Sequence, residues 1–167
     1  MHWGQLAWAS MPTELQLQYR DIVAVHSARR AYAPDGFYGE NDRDRSMVIR
    51  PSVAAEAVHR HPLVHAHPET GILGFFGCDG YIVDLEGDDT LADTALHDLL
   101  RWQTQDHFVY RHRWEQGMLI IWDNRSVLHQ ATGGYDGHHR LLHRTTIGAR
   151  CGPFVTCSAL ATATKRL

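Results

Sequence analysis

With 167 residues, 44% of them hydrophobic, the chain has material for one domain, of a size that buries roughly 70% of its unfolded surface. The 16 Lys and Arg are dispersed among 19 Asp and Glu, leaving a net charge of -3, so there is no basic field for nucleic acid or anionic lipid and the expected partner is a small molecule. Cys78, Cys151 and Cys157 form no Cys-x-x-Cys, Met1 to Leu6 have no basic leader, and the longest apolar run, Met118 to Trp122, is too short to span a bilayer, which together point to a reducing, cytoplasmic setting without membrane insertion.

Ser10-Met11-Pro12-Thr13-Glu14 reads as a helix start, with Leu15, Leu17 and Ile22 carrying its apolar contacts to about residue 24. From Arg29 to Pro51 the chain is rich in Asp, Asn, Gly, Arg and Tyr without periodicity, as in a long irregular excursion or lid. Ser52 to His59 suits a short helical turn. Pro62 to Ala66 alternates like a strand, His67-Pro68-Glu69-Thr70-Gly71 is its turn, and Ile72 to Gly77 its hairpin partner. The histidines His59, His61, His65 and His67 straddle two prolines without an acidic or cysteine partner at metal-like spacing, so they read as a hairpin surface. Asp88-Asp89-Thr90 opens a second helix through Gln103, with Leu91, Ala95, Leu99 and Trp102 at helical spacing. Phe108 to Trp114 alternates with period two, and further strands are expected over 118–122 and 140–147. Trp102, Phe108, Tyr110, Trp114 and Trp122 are spaced as core aromatics. The resulting fold class is mainly β, a sandwich or jelly roll with flanking helices, over residues 1–150; residues 151–167 have no clear pattern.

The chemistry concentrates between Trp114 and Ile147. On a strand Arg140 and Arg144 share one face, roughly 13 Å apart at about 3.3 Å per residue, which suits one arginine deep in a pocket and one nearer its mouth. Arginine is the side chain expected where a carboxylate is gripped in a bidentate manner. His129 precedes the turn Gly133-Gly134-Tyr135-Asp136-Gly137, so a hairpin returns Arg140 towards it. Imidazole is a ligand for ferrous iron, and two histidines with one carboxylate leave positions open for a chelating cosubstrate and oxygen.

The run Trp114-Glu115-Gln116-Gly117-Met118-Leu119-Ile120-Ile121-Trp122-Asp123-Asn124-Arg125-Ser126-Val127-Leu128-His129, followed by Arg140-Leu141-Leu142-His143-Arg144-Thr145-Thr146-Ile147, resembles the C-terminal signature of the taurine/2,4-dichlorophenoxyacetate dioxygenase family (TauD/TfdA), Fe(II)- and 2-oxoglutarate-dependent enzymes. His61-Pro62-Leu63-Val64 with His67-Pro68-Glu69-Thr70-Gly71 resembles the family's middle hairpin, and Ala24-Val25-His26-Ser27 an earlier helix end. The resemblance covers residues 3 to 148. It implies a partial double-stranded β-helix, with His129 as the distal iron ligand, Arg140 as the anchor of the far carboxylate of 2-oxoglutarate, and Arg144 facing cosubstrate or an anionic substrate. The implied activity is hydroxylation of a small organic anion, a taurine-like sulfonate or an aryloxy or alkyl acid.

One departure stands out. The family's His-x-Asp ligands belong before the helix near Ser10, and the resemblance places them ahead of Met1 and the cosubstrate-binding threonine at or just before Met1. His67-Pro68-Glu69 is the one local His-x-acid match and falls in an outer hairpin. The expectation is therefore a fragment lacking the N-terminal strands, either part of an active dioxygenase domain or a truncated remnant without an intact iron site. A homo-oligomer is left open.

Overall fold

The computed structural model describes residues 1–41, 49–77, 80–87, 94–130 and 142–147. Its strands are short and antiparallel. Strand β1 (His2–Trp3) leads directly into helix α1 (Gly4–Ala9), and helix α2 (Thr13–Tyr19) follows Pro12, whose extended backbone ends the preceding turn. Strand β2 (Val23–Ser27) comes next, then the short helices α3 (Arg29–Tyr32) and α4 (Phe37–Asn41). A 3-10 turn at Val53–Glu56, capped by the Ser52 hydroxyl accepting from the Ala54 N–H, precedes β3 (Val58–Pro62). The hairpin β4 (Val64–Ala66) and β5 (Leu73–Phe75) follows, then β6 (Ile82–Glu86), helix α5 (Ala95–Gln103) and β7 (Val127–Leu128).

Among the described residues the strands form three small sheets. One has the order β3-β2-β6, one is the β4-β5 hairpin, and one pairs β1 with β7. Strand β2 is central because Ala24 and Val25 are buried and its backbone bonds on both edges, with an irregularity between Val25 and His26 opposite β6. The core gathers α1, α5 and the hairpin: Ala7, Trp8, Leu63, Phe75, Ile82 and Leu99 are all buried. Trp8 meets Phe75 edge-on, centroids 5.3 Å apart, and the Trp102 indole N–H donates to the Ala7 carbonyl at 2.8 Å, tying α5 to α1.

Helix α1 sits on β5 at backbone distance. A Cβ on Gly4 would meet the Phe75 carbonyl oxygen at 2.8 Å, and one on Gly74 would meet the Gln5 amide nitrogen at 3.0 Å. Both positions require the missing side chain. Gly71, at φ +70°, closes the turn of the hairpin.

Several elements depart from the sequence expectation. The helix after Pro12 stops at Tyr19 rather than near residue 24, and 24–27, read as a helix end, is sheet, since Val23 and Val25 are β-branched and pair across to Pro62 and Arg60. The expected strand 62–66 is divided at buried Leu63, with Pro62 in one sheet and Val64 in another. The excursion after Arg29 contains α3 and α4, and β6 is an element the periodicity did not single out. The helix ending at Gln103 is present, its start at 88–93 lying outside the described residues.

The C-terminal strands differ most. Phe108 is buried in a 3-10 turn, and the backbone exchange between Tyr110 and Met1 is the ladder-like contact of the 108–114 run. Tyr110 and Trp114 are exposed and lie either side of the His112 ring, so they are not core aromatics. Residues 118–122 follow a turn at Gly117 and form no ladder among the described residues. Leu119 and Ile121 are 84% and 85% exposed, where burial had been expected. Residues 142–147 likewise form no regular element, and Ile147 is 92% exposed; Arg140 lies outside the described residues.

The histidine cluster is also more than a hairpin surface. His26, His61 and His65 surround Phe76 with ring centroids 5.6, 5.3 and 4.9 Å from it, and His26 Nε2 is buried without a hydrogen-bond partner among the described residues. Burial, then the neighbouring His61 and His59, push His26 down to about 4. Below its ordinary value the unfolded chain binds this proton and the folded one does not, so stability is complete above about pH 6.5 and falls towards pH 4. Urea unfolding between pH 7 and 4.5 should register a loss on the order of 1–3 kcal/mol that is smaller in the His26→Phe variant, which keeps the lowered His61, His65 and His129. Leu99→Ala, which empties a site 1% exposed, should cost about 2–5 kcal/mol in the same assay at pH 7.

Candidate functional site

His129 follows β7 immediately, so its position depends on the β1/β7 pairing. His2 lies opposite Leu128 and Trp3 opposite Val127, and the Gly4 N–H donates to the Ser126 carbonyl at 3.2 Å. The residue is solvent-exposed as a whole, yet its ring packs against Trp122, centroids 4.9 Å apart at 56°. The indole is held in turn, since its N–H donates to Asn124 Oδ1 at 2.8 Å.

Burial lowers the pKa of His129, and the positive charges of Arg144 and the Met1 amino group lower it further. The imidazole is therefore neutral near neutral pH, with a lone pair available to a Lewis acid. Of the sequence-expected residues, the structure thus brings His129 and Arg144 into electrostatic range of each other. Arg140 and the turn 133–137 lie outside the described residues.

The segment entering β7 is locked by a polar network that the sequence reading did not assign. His67, 6% exposed, accepts the Glu69 and Thr70 N–H groups on Nδ1 at 3.3 Å each, and its Nε2 donates to Asp123 Oδ2 at 2.9 Å. Two donors on Nδ1 require the proton on Nε2, so this is a hydrogen bond from a neutral ring rather than an ion pair. Asp123 also accepts from Arg125, through Nε at 3.0 Å and Nη2 at 2.7 Å, and from the Arg125 backbone N–H at 2.8 Å. These Arg125 bonds, with help from His67, hold the Asp123 carboxyl well below the usual range despite its partial burial. Arg125 Nη2 also reaches Glu69 at 3.1 Å, closing the ring of contacts, and Asp123, helped by Glu69, raises the guanidinium above its ordinary value.

His67 and Glu69 are therefore committed to holding a turn, and the reading of His67 as hairpin surface is corrected. The signal available in sequence was the Pro68/Gly71 turn beside a histidine. What the sequence did not carry was the distance to Asp123. Among the described residues there is no group of three or more His, Cys, Asp or Glu arranged to hold a metal ion. Among the described residues no helix is long and apolar enough to cross a membrane.

The sequence profile described as "Taurine catabolism dioxygenase TauD, TfdA family" matches residues 4–146. An alkylsulfatase of Acinetobacter baylyi is 31% identical over 157 residues, covering 86% of this chain and 47% of that protein. An alpha-ketoglutarate-dependent 2,4-dichlorophenoxyacetate dioxygenase of a Burkholderia species is 31% identical over 150 residues, covering 87% and 46%. The crystal structure of a putative alpha-ketoglutarate dependent 2,4-D dioxygenase from Burkholderia xenovorans superposes with a TM-score of 0.58 at 25% identity, covering 75% of this chain and 46% of that one. Such neighbours are double-stranded β-helix dioxygenases, and the chain spans about half the length of the curated relatives it matches. With the profile running across nearly all the described elements, from α1 through the segment that carries Arg144, this chain belongs to the TauD/TfdA dioxygenase family.

Proposed function

We propose that this chain carries the histidine-and-arginine portion of an Fe(II)- and 2-oxoglutarate-dependent dioxygenase domain that hydroxylates a small organic anion. The observation that carries the reading is His129: a neutral imidazole at the end of β7, packed on Trp122, within the field of Arg144. In this reading His129 is one protein ligand of the iron, Arg140 pairs with the far carboxylate of 2-oxoglutarate, and Arg144 is a second anion contact. Iron with 2-oxoglutarate, when bound, would activate dioxygen, the oxidant, towards an unactivated C–H bond, the cosubstrate giving up two electrons as it is decarboxylated to succinate and CO2. The role of the arginines is to fix an anionic molecule beside the imidazole, a task that charge and bidentate geometry suit. The names of the two relatives above, an alkylsulfatase and an aryloxyacetate dioxygenase, point to small anions as the substrate class.

The described residues do not by themselves fit an iron ion. A facial triad needs three protein donors, and among the described residues no three or more His, Cys, Asp or Glu are arranged to hold a metal ion. No catalytic step is therefore routed through the metal. That same observation favours a second reading, a family member without an intact iron site that does not turn over.

Anaerobic titration of the 167-residue chain with Fe(II) at millimolar 2-oxoglutarate separates the two. A visible charge-transfer band that disappears in His129→Ala supports the dioxygenase reading, and no band in the unmodified chain supports the inert one. In the chain, or in a full-length relative with the matching arginine, Arg144→Ala should weaken 2-oxoglutarate or a sulfonate about tenfold by calorimetry, the loss of roughly 1.4 kcal/mol. Unchanged affinity for both removes that role.

A further inference from the structure

We propose that His67, Asp123, Arg125 and Glu69 form a positioning clamp that aims His129. Its significance for catalysis rests on the function proposed above; its geometry does not.

The clamp joins two turns distant in sequence. One is the hairpin turn after β4, where His67 Nδ1 gathers the Glu69 and Thr70 N–H groups. The other is the turn that starts β7, where Ser126 and Val127 both donate to the Asp123 carbonyl at 3.1 Å. The Asp123 carboxylate bridges them, accepting from His67 Nε2–H on one side and from the Arg125 guanidinium on the other. Because His67 is buried and its tautomer is fixed by the turn, its donor points in one direction. Asp123 consequently cannot shift without losing either His67 or Arg125. Two residues of ladder, Val127 and Leu128, then separate this fixed point from His129. A two-residue strand has too few bonds to set its own direction, so the orientation of His129 is inherited from the turn before it. His67, Asp123 and Arg125 are positioning residues acting through the backbone; none of them is proposed to touch iron, cosubstrate or substrate.

The test reads the full chain by NMR without metal. In His67→Phe and Asp123→Asn, cross-peaks between the His129 and Trp122 rings should be lost, and hydrogen-exchange protection at the Gly4 and Val127 amides should fall about tenfold relative to the Leu63 and Thr104 amides. His67→Gln, whose amide can donate to Asp123, should restore most of both signals. Undisturbed ring contacts and protection in His67→Phe would overturn the clamp, as would an equal fall at Leu63 and Thr104, which is what a contribution to general stability predicts, or a glutamine no better than phenylalanine. Should His67→Phe not fold, Glu69→Gln decides. This side chain is 73% exposed, and its loss should lower the Gly4 and Val127 protection about two- to threefold, no change overturning the proposal. Absence of iron or cosubstrate binding in the unmodified chain would sink the proposed function and leave this readout intact, since neither is in the sample.

Discussion

A single carboxylate organises this half of the molecule. Asp123 is shared by a neutral imidazole from the hairpin turn and a guanidinium from its own turn. The guanidinium neutralises the charge, so the partly buried carboxylate does not have to be stripped of water uncompensated, and the imidazole adds direction rather than charge. Were Asp123 apolar, His67 would keep a buried donor with no partner and Arg125 would keep only its solvated contact to Glu69. The hairpin and the approach to β7 would then be joined by that exposed ion pair, the His65 contact to the Arg125 backbone and packing.

The rest of the described fold supports that junction from the other side. Helix α1 is fastened to α5 by the Trp102 indole and to the hairpin by Trp8 against Phe75, and β1 is continuous with α1. Strand β7 therefore meets two anchored partners: β1 through its ladder and the hairpin turn through Asp123. Beyond this, the apolar side chains of Leu119, Ile121 and Ile147 face solvent, in contrast to the close packing around Leu63 and Leu99. The described structure is thus closely packed around α1, α5 and the hairpin and loosely packed along the C-terminal run that the dioxygenase signature occupies.

What the sequence disclosed followed from local chemistry. The hairpin with its Gly71 turn, the amphipathic helix ending at Gln103 and the 3-10 turn after Ser52 were readable because propensity and spacing act over a few residues. His129 and Arg144 were singled out by their signature, and the structure places them within electrostatic reach of each other. Two kinds of information were not readable. The unbroken apolar run 118–122 announces a strand but not which surface covers it. The role of His67 depends on Asp123, fifty-six residues away, and no local pattern reports such a contact. Strand β6 was missed for a similar reason, since its pairing with β2 is non-local and irregular near His26.

The glycine pair at the α1 and β5 crossing has an implication for how the protein can vary. Gly74 leaves no room for a methyl group against Gln5, and Gly4 none against the Phe75 carbonyl. Because α1 runs straight from β1, and β1 is paired with the strand that ends before His129, the crossing is linked through the chain to the approach to that imidazole. A side chain introduced at position 74 would push α1 off β5 and load the short β1/β7 ladder as well as the hairpin.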